Sequence, residues 1–226
     1  MRKSIVLAGI TALSLAPLAM GQATVDLRVT EIWAGVGGPD HTLDWFELTN
    51  FSDSVSYPLN TYFVNDNSGG TGSARLMQGV ASIAPGESVI FLMEGTAIDT
   101  DTFRTVWNLV GSPVQVGYAD GSGLGLGAGG DAVNVYTGDT GSDTLVTGQS
   151  YPAFDDSNYA SFVWNNDLNA WDDSRAVAGV WGAYNSTVSA GDSNAPAVGS
   201  PGVAIPAPGA LTLACAAGLV GLRRRR

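Results

Sequence analysis

Val25-Asp26-Leu27-Arg28-Val29 puts an apolar side chain at every second position, and this period of two constrains the fold more than any other feature of the chain. A strand with one buried face needs that period, because successive side chains point to opposite sides of the backbone. Glu31-Ile32-Trp33 continues the pattern with a shift in phase, which predicts a β-bulge. A turn is expected over Gly35 to Asp40. A second strand is expected over Asp44-Trp45-Phe46-Glu47-Leu48-Thr49-Asn50, with Phe46 and Leu48 sharing a face. After a polar turn at Asn50 to Ser54, Leu59 to Val64 reads as a third strand ending at Asn65-Asp66-Asn67. With 30 glycines and only 14% charged residues, the 226-residue chain suits many short strands joined by tight turns rather than a helical bundle.

Further along, Ala84-Pro85-Gly86-Glu87 has turn chemistry, proline preset for the first corner and glycine for the next. Ser88 to Met93 reads as a buried strand. Phe103, Val106, Trp107 and Val110 recur at helical spacing behind Asp101, an N-cap residue type, so one short helix is expected there. Gly121 to Gly130 is a glycine-rich loop, and Asp131 to Tyr136 a strand with Val133 and Val135 on one face. Gly138-Asp139-Thr140-Gly141 turns the chain. Tyr151 to Val188, containing Phe162, Trp164, Trp171 and Trp181, reads as edge strands and long loops, and Asn194 to Pro208 as a Pro/Gly/Ala-rich linker.

The charges are segregated. Six of the ten basic residues lie at the two tips: Arg2, Lys3 and Arg223 to Arg226. Between them four arginines face 21 carboxylates, a formal charge of −17. Such a body repels a phosphate backbone, which argues against nucleic-acid binding. The sole cysteine, Cys215, lies in the apolar tail, so no disulfide can staple the body and packing must hold it.

Both tips read as addresses. Residues 1–23 have the layout of a secretory signal peptide: Arg2 and Lys3, an apolar stretch from Ile5 to Leu18, and small residues around the cleavage point. Signal peptidase cleavage after Gly21 and cleavage after Ala23 fit equally well. At the other end, Gly209 to Leu222 as a helix spans about 21 Å against a hydrocarbon core of about 30 Å. That length suits transient membrane association, with the four arginines held on the cytoplasmic side, better than a permanent span.

Candidate chemistry is sparse. His41 is the single histidine and sits in a polar turn, so Ser-His-Asp and His-rich zinc arrangements are hard to build. The glycine run Gly121 to Gly130 lacks the Lys-Ser/Thr ending of a phosphate-binding loop. Asp66, Asp99 and Asp101 are candidate Ca²⁺ ligands by loop spacing, although neither of their segments completes an EF-hand pattern. Asp155-Asp156 and Asp172-Asp173, near Trp164 and Trp171, leave open a glycosidase cleft or a sugar-binding face. Asn50-Phe51-Ser52 and Asn185-Ser186-Thr187 are formal glycosylation sequons.

Two resemblances add to this reading. Pro206-Ala207-Pro208, the short apolar helix and the tip Arg223, Arg224, Arg225 and Arg226 resemble a PEP-CTERM sorting signal, with Ala207 standing where that motif has glutamate. The resemblance implies cleavage near the motif by an exosortase-type enzyme and delivery to the cell surface or extracellular matrix of a Gram-negative-type bacterium.

Six pieces in order resemble bacterial lamin-tail domains: Thr30-Glu31-Ile32, Asp44 to Asn50, Leu59 to Asp66, Pro85-Gly86-Glu87 to Leu92, Gly130-Asp131-Ala132-Val133 and Ser200-Pro201-Gly202. That resemblance implies an all-β, immunoglobulin-like β-sandwich with one short helix, flanked by apolar helical segments at both termini. It also implies that Glu31 and Glu47 are structural, bonding to backbone groups near a strand end.

The expected organisation is a signal peptide at 1–23, a lamin-tail-like domain at 24–193, a linker at 194–208 and a sorting helix with its arginine tail at 209–226. The expected function is that of an exported, non-enzymatic structural or interaction module meeting unidentified surface or matrix components without a cofactor. A glycan- or Ca²⁺-binding module is the alternative, and a hydrolase the third reading.

Overall fold

The computed structural model describes residues 25–34, 43–67, 71–140, 142–155, 159–189 and 195–203. The expected leader with Gly21 and Ala23, the turn carrying His41, Asp156, Gly141 and the sorting residues Pro206, Ala207, Pro208 and Arg223 to Arg226 lie outside the described residues.

The chain is mostly strand with one α-helix among the described residues. In order come β1 (Leu27–Trp33), β2 (Trp45–Asn50), β3 (Tyr57–Pro58), β4 (Phe63–Asn65), a 3₁₀ turn at Thr71–Ser73, β5 (Arg75–Gln78), β6 (Ser82–Ile83) and β7 (Ser88–Met93). After α1 (Ala97–Val106) follow β8 (Gln115–Ala119), β9 (Gly130–Tyr136), β10 (Leu145–Pro152), β11 (Phe162–Val163), β12 (Tyr184–Ser189) and β13 (Pro196–Gly199). Nine strands form one large sheet in the order β10-β9-β4-β5-β8-β7-β2-β1-β11, while β12 pairs with β13 and β3 with β6. The large sheet curls until β10 comes back beside β1, so it is nearly closed on itself.

The phase shift in the first strand is a bulge. Val29 faces Leu48 and Glu31 faces Glu47, leaving Thr30 as the extra residue. The insertion keeps Leu27, Val29 and Ile32 all in the inner core and turns Thr30, Glu31 and Trp33 to the other side. Phe46 and Leu48 share the inner face as their spacing predicts, but β2 is buried on both faces, with Trp45 in a second core.

That second core lies beneath α1 and the β12–β13 pair. Phe103, Val106 and Trp107 pack on Trp45, Ile90, Leu92 and Val116, with Ala197 from β13. The helix also carries the chain between β7 and β8, which run parallel, and a parallel pair requires such a crossover.

Several local expectations meet their structural form. Ala84 to Glu87 is a turn closed by Glu87 N donating to Ala84 O (3.1 Å), with Gly86 at φ +72°, the conformation glycine supplies without strain. Ser88–Met93 is buried throughout, and Val133 and Val135 are both fully buried.

Three expectations need correction. The helix starts at N-cap Thr96, and Asp101 lies in its interior. The first turn is exposed, with Ile98 79% accessible, so it carries no apolar period by which to find it. The Asp99 carboxylate instead takes the Thr96 N–H (2.8 Å) and hydroxyl (2.6 Å), as in a capping box. At the other end Asn108 turns left-handed (φ +54°), and Leu109 N bonds back to Arg104 O at 2.7 Å, which leaves Val110 exposed beyond the helix.

The strand expected over Leu59 to Val64 is broken. Tyr57–Pro58 pairs with β6, Tyr62 N closes a turn on Leu59 O (3.2 Å), and only Phe63–Asn65 joins the large sheet. Finally, the described part of the expected linker contains β13, which pairs with β12 and buries Ala197.

Candidate functional site

Among the described residues, the outer face of β1, β2 and β7 gathers several ionisable and hydroxyl groups away from water. Glu31 and Glu47 are cross-strand partners there, 1% and 2% exposed. The bulge at Thr30 is what puts both on this face.

Glu31 Oε1 accepts from Ser161 Oγ (2.5 Å) and Ser200 N (2.7 Å), and its Oε2 from Ser200 Oγ (2.9 Å). Glu47 Oε1 accepts from Thr30 Oγ1 (2.8 Å) and more distantly from Thr49 Oγ1 (3.5 Å), and its Oε2 from Gly202 N (2.8 Å). A row of hydroxyls extends the cluster sideways, Thr30 to Thr49 and Thr49 to Ser88, each at 2.7 Å.

The C-terminal half of the cluster is built by turn chemistry. Ser200-Pro201-Gly202-Val203 closes through Val203 N on Ser200 O (2.9 Å), with proline at the first corner and Gly202 at φ +75°. This geometry aims Ser200 N and Gly202 N at the two carboxyls, and the Tyr184 hydroxyl donates to Pro201 O at 3.3 Å.

No cation pairs with either carboxyl among the described residues. Arg28 is paired with Asp26 (3.0 Å) and lies over the rings of Phe51 and Trp164. Arg104 donates to Val114 O (2.7 Å), and Arg175 donates to Ala160 O beside Phe162. Burial therefore dominates the electrostatics. It raises Glu31 to about 7 against the lowering effect of its Ser161 and Ser200 donors. Burial, then the neighbouring Glu31 charge, raises Glu47 to about 8. Glu31, with all three of its donors within 2.9 Å, is the member better suited to carry charge, and Glu47 the one better suited to stay neutral.

A small hollow opens against this cluster, lined by Thr30, Glu47, Trp164, Asn166, Trp181 and Ser200 among others. Trp164 Nε1 and Asn166 Oδ1 are buried at its wall with no protein partner among the described residues.

The candidate Ca²⁺ ligands and the described acids Asp172 and Asp173 lie away from this cluster and are not brought together into a metal-holding group. Asp66 is buried just past β4, Asp99 is occupied at the helix start, and Asp101 sits on α1 with its carbonyl accepting from Thr105 Oγ1 (3.0 Å). Among the described residues no group of three or more His, Cys, Asp or Glu side chains has metal-holding geometry. Asp172 accepts from Asn165 Nδ2 (2.7 Å), and Asp173 from Trp171 Nε1 (2.8 Å), so these two acids shape their own loop. Asp172 is held below the usual carboxylate range by its Ser174 and Asn165 hydrogen bonds.

In the glycine-rich loop, carboxylates already take several backbone N–H groups. Glu94 accepts from Gly123 N and Leu124 N, Asp44 from Leu126 N, and Asp131 from Gly127 N. A loop held by anions in this way is unsuited to cradling a phosphate.

Sequence reading named Glu31 and Glu47 as structural groups bonded to backbone near a strand end, and both do accept backbone N–H bonds. What it missed is that they face each other and that their backbone donors come from the Ser-Pro-Gly turn. The separate Glu-Ile, Trp-x-Glu-Leu and Ser-Pro-Gly pieces were the available signal. Comparison with family models, characterised proteins and solved structures returns no significant match for this chain.

Proposed function

We propose that this chain is an exported, non-catalytic structural or interaction module of the bacterial cell surface or matrix, with a lamin-tail-like, immunoglobulin-like body between a cleaved leader and a PEP-CTERM-like sorting tail. The observation that carries the reading is the convergence of three separated pieces of the lamin-tail pattern. Thr30-Glu31-Ile32, Asp44 to Asn50 and Ser200-Pro201-Gly202 meet in one buried cluster, and the carboxyls of that cluster bond to the protein's own hydroxyls and amides.

The sandwich reading draws support from β5, which pairs with β4 on one side and β8 on the other, and so serves as the corner between two halves of the curled sheet. The inner core takes residues from both halves, Leu27, Phe46 and Val89 from one and Val64, Val133 and Val135 from the other. A body of this kind presents loops from a packed frame, and its acidity keeps it soluble outside the cell.

Mass spectrometry of the protein recovered from its native host tests the proposal. The expected mature form begins after Gly21 or Ala23, ends near Pro206 to Pro208 and lacks residues 209–226. Recovery with the tail and its four arginines still attached overturns the sorting part.

A further inference from the structure

We infer that the facing Glu31–Glu47 pair is a proton-dependent clasp on the Ser200–Gly202 turn, closed while the pair carries at most one negative charge and open when both carboxyls are ionised. The geometry supplies the reason. Two carboxyls stand opposite each other on neighbouring strands, away from water, and three of their six donors come from a single turn of the C-terminal segment. Two adjacent buried negative charges without a cation repel each other strongly. The cheapest relief is to let water in, and the least embedded wall of the cluster is that turn, which follows the four-residue β13, paired with β12 and bridged at Val198 to Ala160. β1, β2 and β7, by contrast, are laced into the large sheet.

Every charged or titratable group from the surrounding elements leaves the pair uncompensated. Arg28 on β1 is engaged by Asp26, Arg104 on α1 by the Val114 carbonyl, and Arg175 beside β11 by the Ala160 carbonyl. From β12 comes the Tyr184 hydroxyl, held well above its ordinary value by burial and then by Glu31 and Glu47, so it stays protonated and keeps donating to Pro201 O. Ser161, Thr30, Thr49 and Ser88 contribute hydroxyls only. The hollow that reaches Glu47 between Trp164, Trp181 and Ser200 gives a short path for protons to and from solvent. The clasp concerns the body alone and stands whether or not the tail is a sorting signal.

Hydrogen–deuterium exchange on the full chain, corrected for intrinsic rates, tests this. The Ser200 and Gly202 amides are expected to lose about tenfold or more in protection between about pH 6 and about pH 9, while the β7 amides Ile90 and Leu92 keep theirs. Glu47→Gln removes the second charge and is expected to flatten that dependence. Equal protection of the turn at both pH values, or the same pH dependence in Glu47→Gln as in the wild type, overturns the clasp. Infrared spectra of the wild-type chain need no variant to fold. A protonated-carboxyl band present at about pH 6 and lost by about pH 9 is expected, and its absence at about pH 6 overturns the inference.

Discussion

Glu31 and Glu47 show how the same residue type acquires a different chemistry from its place in the fold. An exposed glutamate such as Glu94 gathers the amides of Gly123 and Leu124. The buried pair is forced toward neutrality, which ties stability to pH in a definite direction. Unfolded glutamates titrate near 4.5, whereas folded Glu31 and Glu47 do so near 7 and 8. Their stabilising contribution is therefore complete below about pH 4.5 and is lost as pH climbs to about 8. The melting temperature is expected to fall across that window in wild type and to fall less in Glu47→Gln, as calorimetry at stepped pH will read. Gly202 offers a second test. Its φ of +75° and a Val114 methyl 2.5 Å from a built Cβ predict that Gly202→Ala costs about 2 kcal/mol in chemical denaturation.

At the level of elements, α1 is held at its start by polar groups and along its length by aromatic packing. The Thr96–Asp99 box satisfies the first turn, so Asp99→Ala is expected to lower stability by about 1 kcal/mol with the fold retained. Trp107 is fully buried and makes edge-on contacts with Trp33 (6.3 Å), Trp45 (5.6 Å) and Tyr184 (5.7 Å), joining the helix to β1, β2 and β12. Trp107→Ala is expected to cost about 3–5 kcal/mol by the same denaturation measurement, because no neighbour can collapse into so large a void. Gly199 lets β13 approach this wall, since a Cβ there would meet Glu31 Oε1 at 2.9 Å and Trp107 at 3.0 Å. Helix, hairpin and carboxyl pair thus share one packing layer.

For the molecule as a whole, stability comes from two cores on either side of β1, β2 and β7 and not from covalent staples. With Cys215 as the chain's single cysteine, no intrachain disulfide can form, and thermal unfolding is expected to be unchanged by a thiol reductant. A reductant-dependent melting temperature in the monomeric fraction would contradict this. The last described turn reaches back to the first strand across 169 residues of sequence, so the body is completed only when its C-terminal segment is in place.

The sequence alone determined the local pieces. The period of two marked β1 and its bulge, Pro85-Gly86 marked a turn, and the apolar run marked β7, because these patterns depend on neighbours a few residues apart. It was silent on what long-range contacts decide. The helix start at Thr96 was hidden because its first turn faces water. Leu59 to Val64 was read as one strand because the turn at Leu59 to Tyr62 leaves its apolar pattern unchanged. Residues 195–203 looked like a linker because Pro, Gly and Ala carry no period. Only the tertiary structure brought Ser200 and Gly202 onto Glu31 and Glu47, since burial and like-charge proximity exist only once strands distant in sequence are packed together.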